Sequence, residues 1–252
     1  MKISQDQKEV TRKSIIRAAV ELIEGADFKA ATMRQIAKAA GVGDATIYNY
    51  FPTKEAILYA YYLDHMQACI EALKAVPDFN TFSLQEQLQT LFDTSFNLYL
   101  ADREFVSQTF RLVLLSSSRD WPQIKPIRAL FLSAVNDMLA AAVEVGEIPD
   151  QVFEELLGQF FMDAYIGTVL YWIADRSENF HNTGILVDQG LGLACAVLKA
   201  GIANKIFDMA AHLFKTHILS QMERFIDPMT HAGRIKRQFM EGMKADESHT
   251  KR

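Results

Sequence analysis

Side chains suited to contacting a nucleic acid are concentrated in one stretch, AGVGDATIYNYFPTKEAIL, which runs from Ala40 to Leu58. Tyr48, Asn49 and Lys54 supply a phenolic hydroxyl, an amide and an ammonium group, and each can hydrogen-bond to phosphate oxygens or base edges. The same side chains also occur on ordinary solvated helix surfaces, and tyrosine rings often belong to a core. The elements around the stretch must therefore be established first.

Two short helices joined by a tight turn are predicted here. Thr32 and Gln35 form the T-x-x-Q of a capping box, so a helix should begin at Met33. Gly41 can adopt the left-handed backbone conformation that ends this helix. The next helix, within DATIYNYF, should end before Pro52, because the residue preceding a proline avoids helical geometry.

The apolar spacing in this stretch is typical of a helix-turn-helix. Ala37 is small enough for the second helix to approach the first, and Ile36, Val42 and Ile47 can fill the wedge between them. Because successive helical residues are rotated by about 100°, Tyr48 should point outward when Ile47 points inward. An outward face on such a helix is suited to the major groove of DNA.

The remaining sequence predicts helices throughout. A helix from about Gln5 to Glu24 precedes the turn motif, and Thr53 can cap a helix running towards Val76. Neither alternating strand patterns nor internal repeats occur, so the fold class is all-α. Further helices are predicted near residues 84–101, 103–116, 126–145, 150–175, 184–202 and 203–226, and at 229–243.

The segment TMRQIAKAAGVGDATIYNYFPTKEAIL resembles the DNA-binding signature of the tetracycline-repressor (TetR) family of bacterial transcriptional regulators. The resemblance implies a three-helix helix-turn-helix head at residues 1–55 and a larger helical ligand-binding and dimerisation domain at 56–226, followed by an extension at 227–252. One departure is Gly43, where the family usually has serine. Glycine tolerates the helix cap but lacks a hydroxyl group.

The candidate DNA contacts combine this resemblance with residue chemistry. Asp44 is favoured by the helix dipole but could also accept a hydrogen bond from a cytosine amine. Tyr50 could reach DNA or pack its ring against the fourth helix, and Lys54 could bind a phosphate or remain a solvated surface lysine. The predicted DNA-binding residues are Thr32, Arg34, Asp44, Ala45, Thr46, Tyr48, Asn49, Tyr50 and Lys54.

The charge distribution agrees with a DNA-reading head on an acidic body. The net charge is −5, yet residues 1–60 contain nine Lys and Arg against seven Asp and Glu. The rest of the chain contains 17 against 24. The few cations predict modest nonspecific affinity and a shallow salt dependence.

Catalytic motifs are missing from the sequence. The six histidines are scattered, and no C-x-x-C, phosphate-binding glycine loop or nucleophile elbow occurs. We therefore expect no enzyme activity, no cofactor and no metal site. Cys69 and Cys195 are predicted to be buried free thiols in a reducing cytoplasm. We expect no signal peptide, because the N-terminal sequence MKISQDQKEVTRK has no apolar central region. We expect no membrane contact, because the most apolar stretch, FFMDAYIGTVLYWIA, is too short to span a bilayer and contains Asp163.

The resemblance also implies an inducer pocket in the body, where large apolar residues are dense. Such pockets are mainly apolar with a few polar anchors, and Asn97 is a further candidate anchor. The ligand should be hydrophobic or amphipathic, with an acid group if Arg111 points inward. Control by a protein partner, or constitutive action, is the alternative. The predicted ligand-binding residues are Phe92, Phe96, Tyr99, Gln108, Arg111, Tyr165 and Trp172.

Small residues mark the predicted dimer seam. Gly158 and Gly167 interrupt one apolar helix, and Gly190 and Ala194 interrupt the next, which permits close helix approach. In the family the two equivalent helices pair with their copies in a four-helix bundle. Two heads related by a twofold axis would read a palindromic operator on double-stranded DNA. The segment after residue 202 predicts an additional helix that the family pattern does not explain.

Overall fold

The computed structural model of the protein describes residues 4–115, 121–151 and 154–213. Helices and a few short 3₁₀ turns make up the described part, which contains no strand and confirms the all-α prediction. The helices are α1 (Gln5–Gly25), α2 (Met33–Ala39), α3 (Asp44–Tyr50), α4 (Lys54–Lys74), α5 (Leu84–Leu100), α6 (Arg103–Leu114), α7 (Trp121–Glu144), α8 (Glu154–Ala174), α9 (His181–Lys199) and α10 (Ile202–Leu213).

The head forms as its capping residues predict. Thr32 accepts a hydrogen bond from the Gln35 backbone and receives the reciprocal bond from the Gln35 side chain, which completes the capping box. Gly41 has a φ of 68°, so the turn does use the left-handed conformation. Ile36 and Ile47 are fully buried between the helices.

Helix α4 belongs to the head and to the body at once. Near its start, Ile57 and Leu58 are buried and the helix packs against α1. Further along, Met66 and Cys69 are buried where α4 packs against α5 and α7. Residues up to Ala200 form one compact unit.

Two helices begin earlier than the sequence predicts. Helix α7 begins at Trp121 rather than near residue 126 and contains Pro126 inside it. Pro122 lies in the first turn, where an amide has no helical partner and proline is tolerated. The predicted helix start near residue 126 is therefore wrong.

Helix α9 begins at His181 rather than near residue 184 because a carboxylate caps its first turn. Asp175 accepts hydrogen bonds from the backbone and hydroxyl of Thr183, at 2.9 and 2.7 Å, and from both corresponding groups of Ser177. These bonds, led by that of the Thr183 hydroxyl, lower the pKa of Asp175. The short connection leaves Asn179 and Phe180 at positive φ.

By length and composition, α7 and residues 155–174 of α8 are apolar enough to cross a membrane. The expectation that the most apolar stretch is too short is therefore wrong, because α8 adds preceding residues to reach 21 in all. In the structure the two helices pack against each other, and α7 also packs against α4 and α5. Phe131 and Phe161 are fully buried in this packing.

Both cysteines are buried and free, as predicted. Burial raises the pKa of the Cys69 thiol to about 12 and that of Cys195 to about 11, so neither is a ready nucleophile. Helix α10 belongs to a second unit of the chain. It confirms the predicted helix after residue 202 as far as Leu213. The predicted helices beyond that point, and the extension at 227–252, lie outside the described residues.

Candidate DNA-binding surface and ligand cavity

The outer face of α3 presents the residues that the sequence selected. The side chain of Tyr48 is 55 % exposed, whereas Ile47 beside it is fully buried. Asp44, Ala45 and Asn49 are also exposed. The structure thus places four candidate DNA contacts on one accessible surface, and their contact with DNA remains a prediction.

The starts of α2 and α3 are joined by an exposed ion pair. The guanidinium Nε of Arg34 lies 3.4 Å from a carboxylate oxygen of Asp44, and both side chains are mostly exposed. Such a pair is weak in solvent, so a DNA phosphate could compete with Asp44 for Arg34. Thr32 is already engaged in capping α2. Asp44 therefore has a third possible role that the sequence did not suggest, which is to pair with Arg34 in the absence of DNA.

Thr46 and Tyr50 are half-buried at the side of α3. Gly43 is the N-cap residue of α3 and provides no side-chain hydrogen bond to the helix. A Cβ added at Gly43 would lie 3.5 Å from the hydroxyl oxygen of Thr46, which is ordinary contact. Both interpretations of Tyr50, DNA contact and ring packing, stay open.

Lys54 lies within the head rather than on its outer surface. Its ammonium group donates to the carbonyl oxygens of Phe28 and Ala31, the latter at 2.6 Å, and lies 4.2 Å from the centre of the Phe28 ring. These contacts join the start of α4 to the loop between α1 and α2. These internal contacts compete with the predicted phosphate contact of Lys54, which stays a prediction.

An apolar cavity of about 240 Å³ lies among helices α4 to α8. Most of its lining is aliphatic or aromatic, with three tyrosines and one charged residue among the described residues. The lining consists of Tyr62, Met66, Tyr99, Phe110, Val113, Leu114, Trp121, Ile124, Ile127, Arg128, Phe131, Met162, Tyr165 and Ile166.

The inner wall of the cavity is supported by paired polar groups. The Tyr165 hydroxyl lies 2.5 Å from the Ser95 hydroxyl, which lies 2.9 Å from Nε2 of His65. The His65 ring stacks on Tyr99 with centroids 3.5 Å apart. The Tyr62 hydroxyl pairs with Thr109 at 2.8 Å.

This burial fixes the protonation of the wall. Desolvation lowers the pKa of His65 to about 3, so the ring is neutral at physiological pH. It also raises the pKa values of Tyr62, Tyr99 and Tyr165, which stay as phenols. The wall is therefore uncharged.

Only two of the predicted ligand-binding residues line this cavity, Tyr99 and Tyr165. Arg111 is exposed, because α6 turns Phe110 and Leu114 towards the cavity and Arg111 away from it. The remaining predicted residues do not line this cavity either. Phe92 borders a groove between α8 and α9, and Gln108 faces the head. Phe96 stacks on Trp172, and Asn97 lies beside Phe96.

Sequence reasoning missed the contribution of α7. The predicted start near residue 126 placed Trp121 and Ile124 in a loop. Ile124, Ile127, Arg128 and Phe131 are spaced i, i+3, i+4 and i+7, which is the pattern of one helix face. That spacing was the available signal.

Helix α6 connects the cavity to the head through polar contacts. Asp102, just before α6, accepts from Arg17 of α1 at 2.7 Å and from the Tyr61 hydroxyl of α4 at 3.1 Å. The side-chain oxygen of Gln108 accepts from the backbone N–H of Phe28 at 3.3 Å. One helix thus lines the cavity and holds both head and α4.

The predicted dimer residues fall into two groups. A Cβ added at Gly158 would come within 2.5 Å of the Asn136 side chain, so this glycine packs against α7 inside the subunit and does not mark a subunit surface. Gly167 and Gly190 are exposed, with nothing within 4 Å of an added Cβ, and Ala194 is half-buried beside Gly190 in the same groove.

Comparison with known proteins identifies the family. A family model described as bacterial regulatory proteins, tetR family, matches residues 15–61, and one described as tetracyclin repressor-like, C-terminal domain, matches residues 87–213. A fatty acid metabolism regulator protein from Bacillus subtilis (strain 168) is 30 % identical over 173 residues, which span 68 % of this chain and 88 % of that protein. The chain belongs to the TetR family.

Solved structures of other bacterial regulators share the fold. A transcriptional regulator FadR from Bacillus subtilis, in complex with stearoyl-CoA, is 26 % identical with a TM-score of 0.59, over 75 % of this chain and 98 % of that chain. FadR from Bacillus halodurans is 23 % identical with a TM-score of 0.58, over 79 % and 97 %. The protein is a TetR-family transcriptional regulator and not an enzyme.

The family match changes one expectation about the C-terminal part. The tetracyclin repressor-like domain extends to residue 213, so α10 is part of the family pattern. The prediction that this pattern leaves the helix after residue 202 unexplained is wrong for residues up to 213. Within the described residues of this TetR-family protein, no cluster of three potential metal ligands occurs.

Serine at position 43 should stabilise the start of α3. The backbone at Gly43 has φ −70°, which any residue adopts, and an added Cβ is accommodated. Gly43→Ser should raise the free energy of unfolding by a few tenths of a kcal/mol, whereas Gly43→Ala should lower it by about 0.5 kcal/mol, because only serine can cap the helix. Urea unfolding of both variants measures this difference, and equal stabilities would contradict the capping argument.

The neutral His65 should make the protein less stable in mild acid. Its pKa is about 3 when folded against an ordinary 6.5, so the unfolded state binds more protons in that interval. The free energy of unfolding should fall by about 1.4 kcal/mol per pH unit as the pH drops below 6.5. Between pH 7.5 and 5.0, the free energy of unfolding of His65→Gln should fall by about 2 kcal/mol less than that of the wild type, by the same relation.

Urea unfolding at the two pH values tests this, with His181→Gln as the matched control because His181 is exposed. The control should keep the wild-type pH dependence. A His65→Gln variant with the wild-type pH dependence would show that the buried ring is not the source.

Proposed function

We propose that this TetR-family regulator is a homodimeric repressor that leaves a palindromic operator when a fatty acyl-CoA occupies the cavity. The observation that carries the proposal is the connection of an apolar cavity to the helix-turn-helix head through α6. A regulator of this kind acts in the cytoplasm, where DNA and acyl-CoA are both present.

The ligand class is supported by two relatives. The Bacillus subtilis protein at 30 % identity is a fatty acid metabolism regulator, and the solved Bacillus subtilis FadR holds stearoyl-CoA. The cavity suits an acyl chain, because its walls are mainly aliphatic and aromatic and its inner hydroxyls are already paired. An apolar chain end buried there would leave no polar group of its own unpaired.

Helix α6 offers a route from ligand to DNA. A chain in the cavity would press on Phe110, Val113 and Leu114, which lie on the inner face of α6. A shift of α6 would be carried to α1 and α4 through Asp102, since this carboxylate contacts both helices. The ligand must favour the shifted state, because equal affinity for both states would move nothing.

An exposed apolar face on α8 and α9 supports the homodimer. Phe160 is 53 % exposed and Leu193 is 69 % exposed, with Leu156 and Leu186 also exposed on these helices. The small residues Gly167 and Gly190 leave space for a second copy to approach. Large exposed apolar patches often mark protein–protein contacts.

The DNA-binding surface can be tested with the Tyr48 hydroxyl. A duplex selected from random sequences by the wild-type protein serves as the probe, and its affinity is measured by fluorescence anisotropy. Tyr48→Phe should weaken binding about thirtyfold, because each of two subunits loses a hydrogen bond worth about 1 kcal/mol. Lauroyl-CoA should release the wild-type protein from the same duplex.

The exposed tyrosine of α8 provides the control, because Tyr171→Phe removes the same hydroxyl from a helix that carries none of the candidate DNA contacts. This variant should bind DNA as wild type does. Unchanged binding by Tyr48→Phe would show that another surface reads DNA. If no acyl-CoA releases the wild-type protein from the duplex, control by a protein partner or constitutive action would be favoured.

The dimer can be tested with a charge on the α8 face. Phe160→Glu should convert a dimer to a monomer in multi-angle light scattering, because two carboxylates would be buried at the seam. Val145→Glu is the matched control, since Val145 directly follows α7 and is 76 % exposed. A Phe160→Glu protein with the wild-type mass would place the subunit contact elsewhere.

A further inference from the structure

The guanidinium of Arg128 carries the only charge among the described residues that line the cavity. Its Nη2 donates to the side-chain oxygen of Gln159 at 2.5 Å, and its plane lies 5.7 Å from the centre of the Trp121 ring. Both partners are neutral. The contacts therefore fix the position of the guanidinium without compensating its charge.

Two arginines that pack between helices of the described chain have acidic partners. Arg12 pairs with Asp64, and Arg17 pairs with Asp102 and Glu21. In residues 4–115, 121–151 and 154–213, no carboxylate lies within ion-pair distance of Arg128. A partly buried cation beside apolar walls is costly unless an anion is supplied. This cost is what a bound anion would relieve.

The position of Arg128 distinguishes two ends of the cavity. Trp121, on which the guanidinium lies, is 51 % exposed, and Leu114 is also exposed. Tyr99 and Tyr165, in contrast, are buried with their hydroxyls turned into the bundle. The half-exposed Arg128 therefore belongs to the open end, where the polar part of a ligand would stay.

We propose that Arg128 binds the anionic head group of an acyl ligand whose chain fills the cavity. The inference rests on the proposed function and assigns a residue and an orientation to it. A guanidinium presents a planar fork of donors that matches the oxygens of a phosphate or a carboxylate. Either the phosphates of coenzyme A or the carboxylate of a free fatty acid could supply this chemistry.

Gln159 is the positioning residue of this site. Its oxygen accepts from Arg128, and its amide nitrogen donates to Asp163 at 2.6 Å, one turn further along α8. The amide therefore links the guanidinium to the carboxylate of Asp163 without a direct ion pair. An aspartate or glutamate directly beside Arg128 would neutralise the charge before a ligand arrived.

Three ligands with one chain length test the assignment by titration calorimetry: lauroyl-CoA, laurate and methyl laurate. Arg128→Gln should weaken lauroyl-CoA about tenfold or more, since a hydrogen bond to a charged group is lost, and leave the neutral methyl laurate unchanged. Arg128→Lys should recover part of the loss, because it restores charge without the fork. Arg111→Gln is the matched control, as it removes an exposed positive charge of the same kind outside the cavity lining.

The source of the anion follows from the laurate titration. If Arg128→Gln weakens laurate as it weakens lauroyl-CoA, the carboxylate suffices; if laurate is unaffected, the phosphates supply the charge. Arg128→Gln with wild-type affinity for lauroyl-CoA and laurate would overturn the role of Arg128 alone. Equal weakening of methyl laurate would overturn it too, by showing general damage to the cavity. Wild-type protein that binds none of the three would instead overturn the proposed acyl ligand.

Discussion

The carboxylate of Asp102 joins three helices of the molecule. It lies at the start of α6, where it accepts from Arg17 in the head and from Tyr61 on α4. Because α6 also supplies a wall of the cavity, any displacement by a ligand meets a helix that is already attached to the head. The ion pair to Arg17 is half-exposed and contributes little stability alone. Its proposed role is to couple the two regions, since it connects α6 to both α1 and α4.

The cavity is defined as much by its satisfied polar groups as by its apolar lining. His65, Ser95 and Tyr165 form a paired series behind the inner wall, so their polarity is directed away from the cavity. Burial keeps the histidine neutral and the phenols protonated. The result is a wall that accepts hydrocarbon, with the uncompensated charge of Arg128 at the other end. This polarity gives a bound amphipathic molecule one orientation.

Local signals predicted the head well and the body only in outline. The capping box at Thr32, the glycine at position 41 and the wedge residue Ile47 act through neighbours in sequence, so the sequence alone defined them. Lys54 was assigned to DNA because its carbonyl partners come from a loop more than twenty residues away. Gly158 was assigned to the dimer seam because its packing against Asn136 depends on a distant helix. Such tertiary partners are invisible to spacing.

The prolines of α7 misled the sequence-based prediction of where this helix begins. They favoured a helix start near residue 126, but α7 begins at Trp121. Pro122 lies in its first turn, where proline is tolerated, and Pro126 lies inside the helix. Moving the start of this helix moved Trp121 and Ile124 onto the cavity wall. The location of the cavity therefore depended on a boundary of a few residues, which is the least certain part of a sequence-based assignment.

Helix α4 has a consequence for how such proteins can be recombined. The beginning of this helix, where Ile57 and Leu58 are buried, contributes to the core of the head, and the rest of the helix contributes to the core of the body. No flexible tether separates the parts, so a DNA-reading fragment cut at residue 55 would lose apolar contacts that α1 requires. Exchanging heads between regulators would have to carry α4 along, together with the partners of Asp102. Evolution of new operator preferences is thereby favoured through the exposed face of α3, where substitutions disturb no shared core.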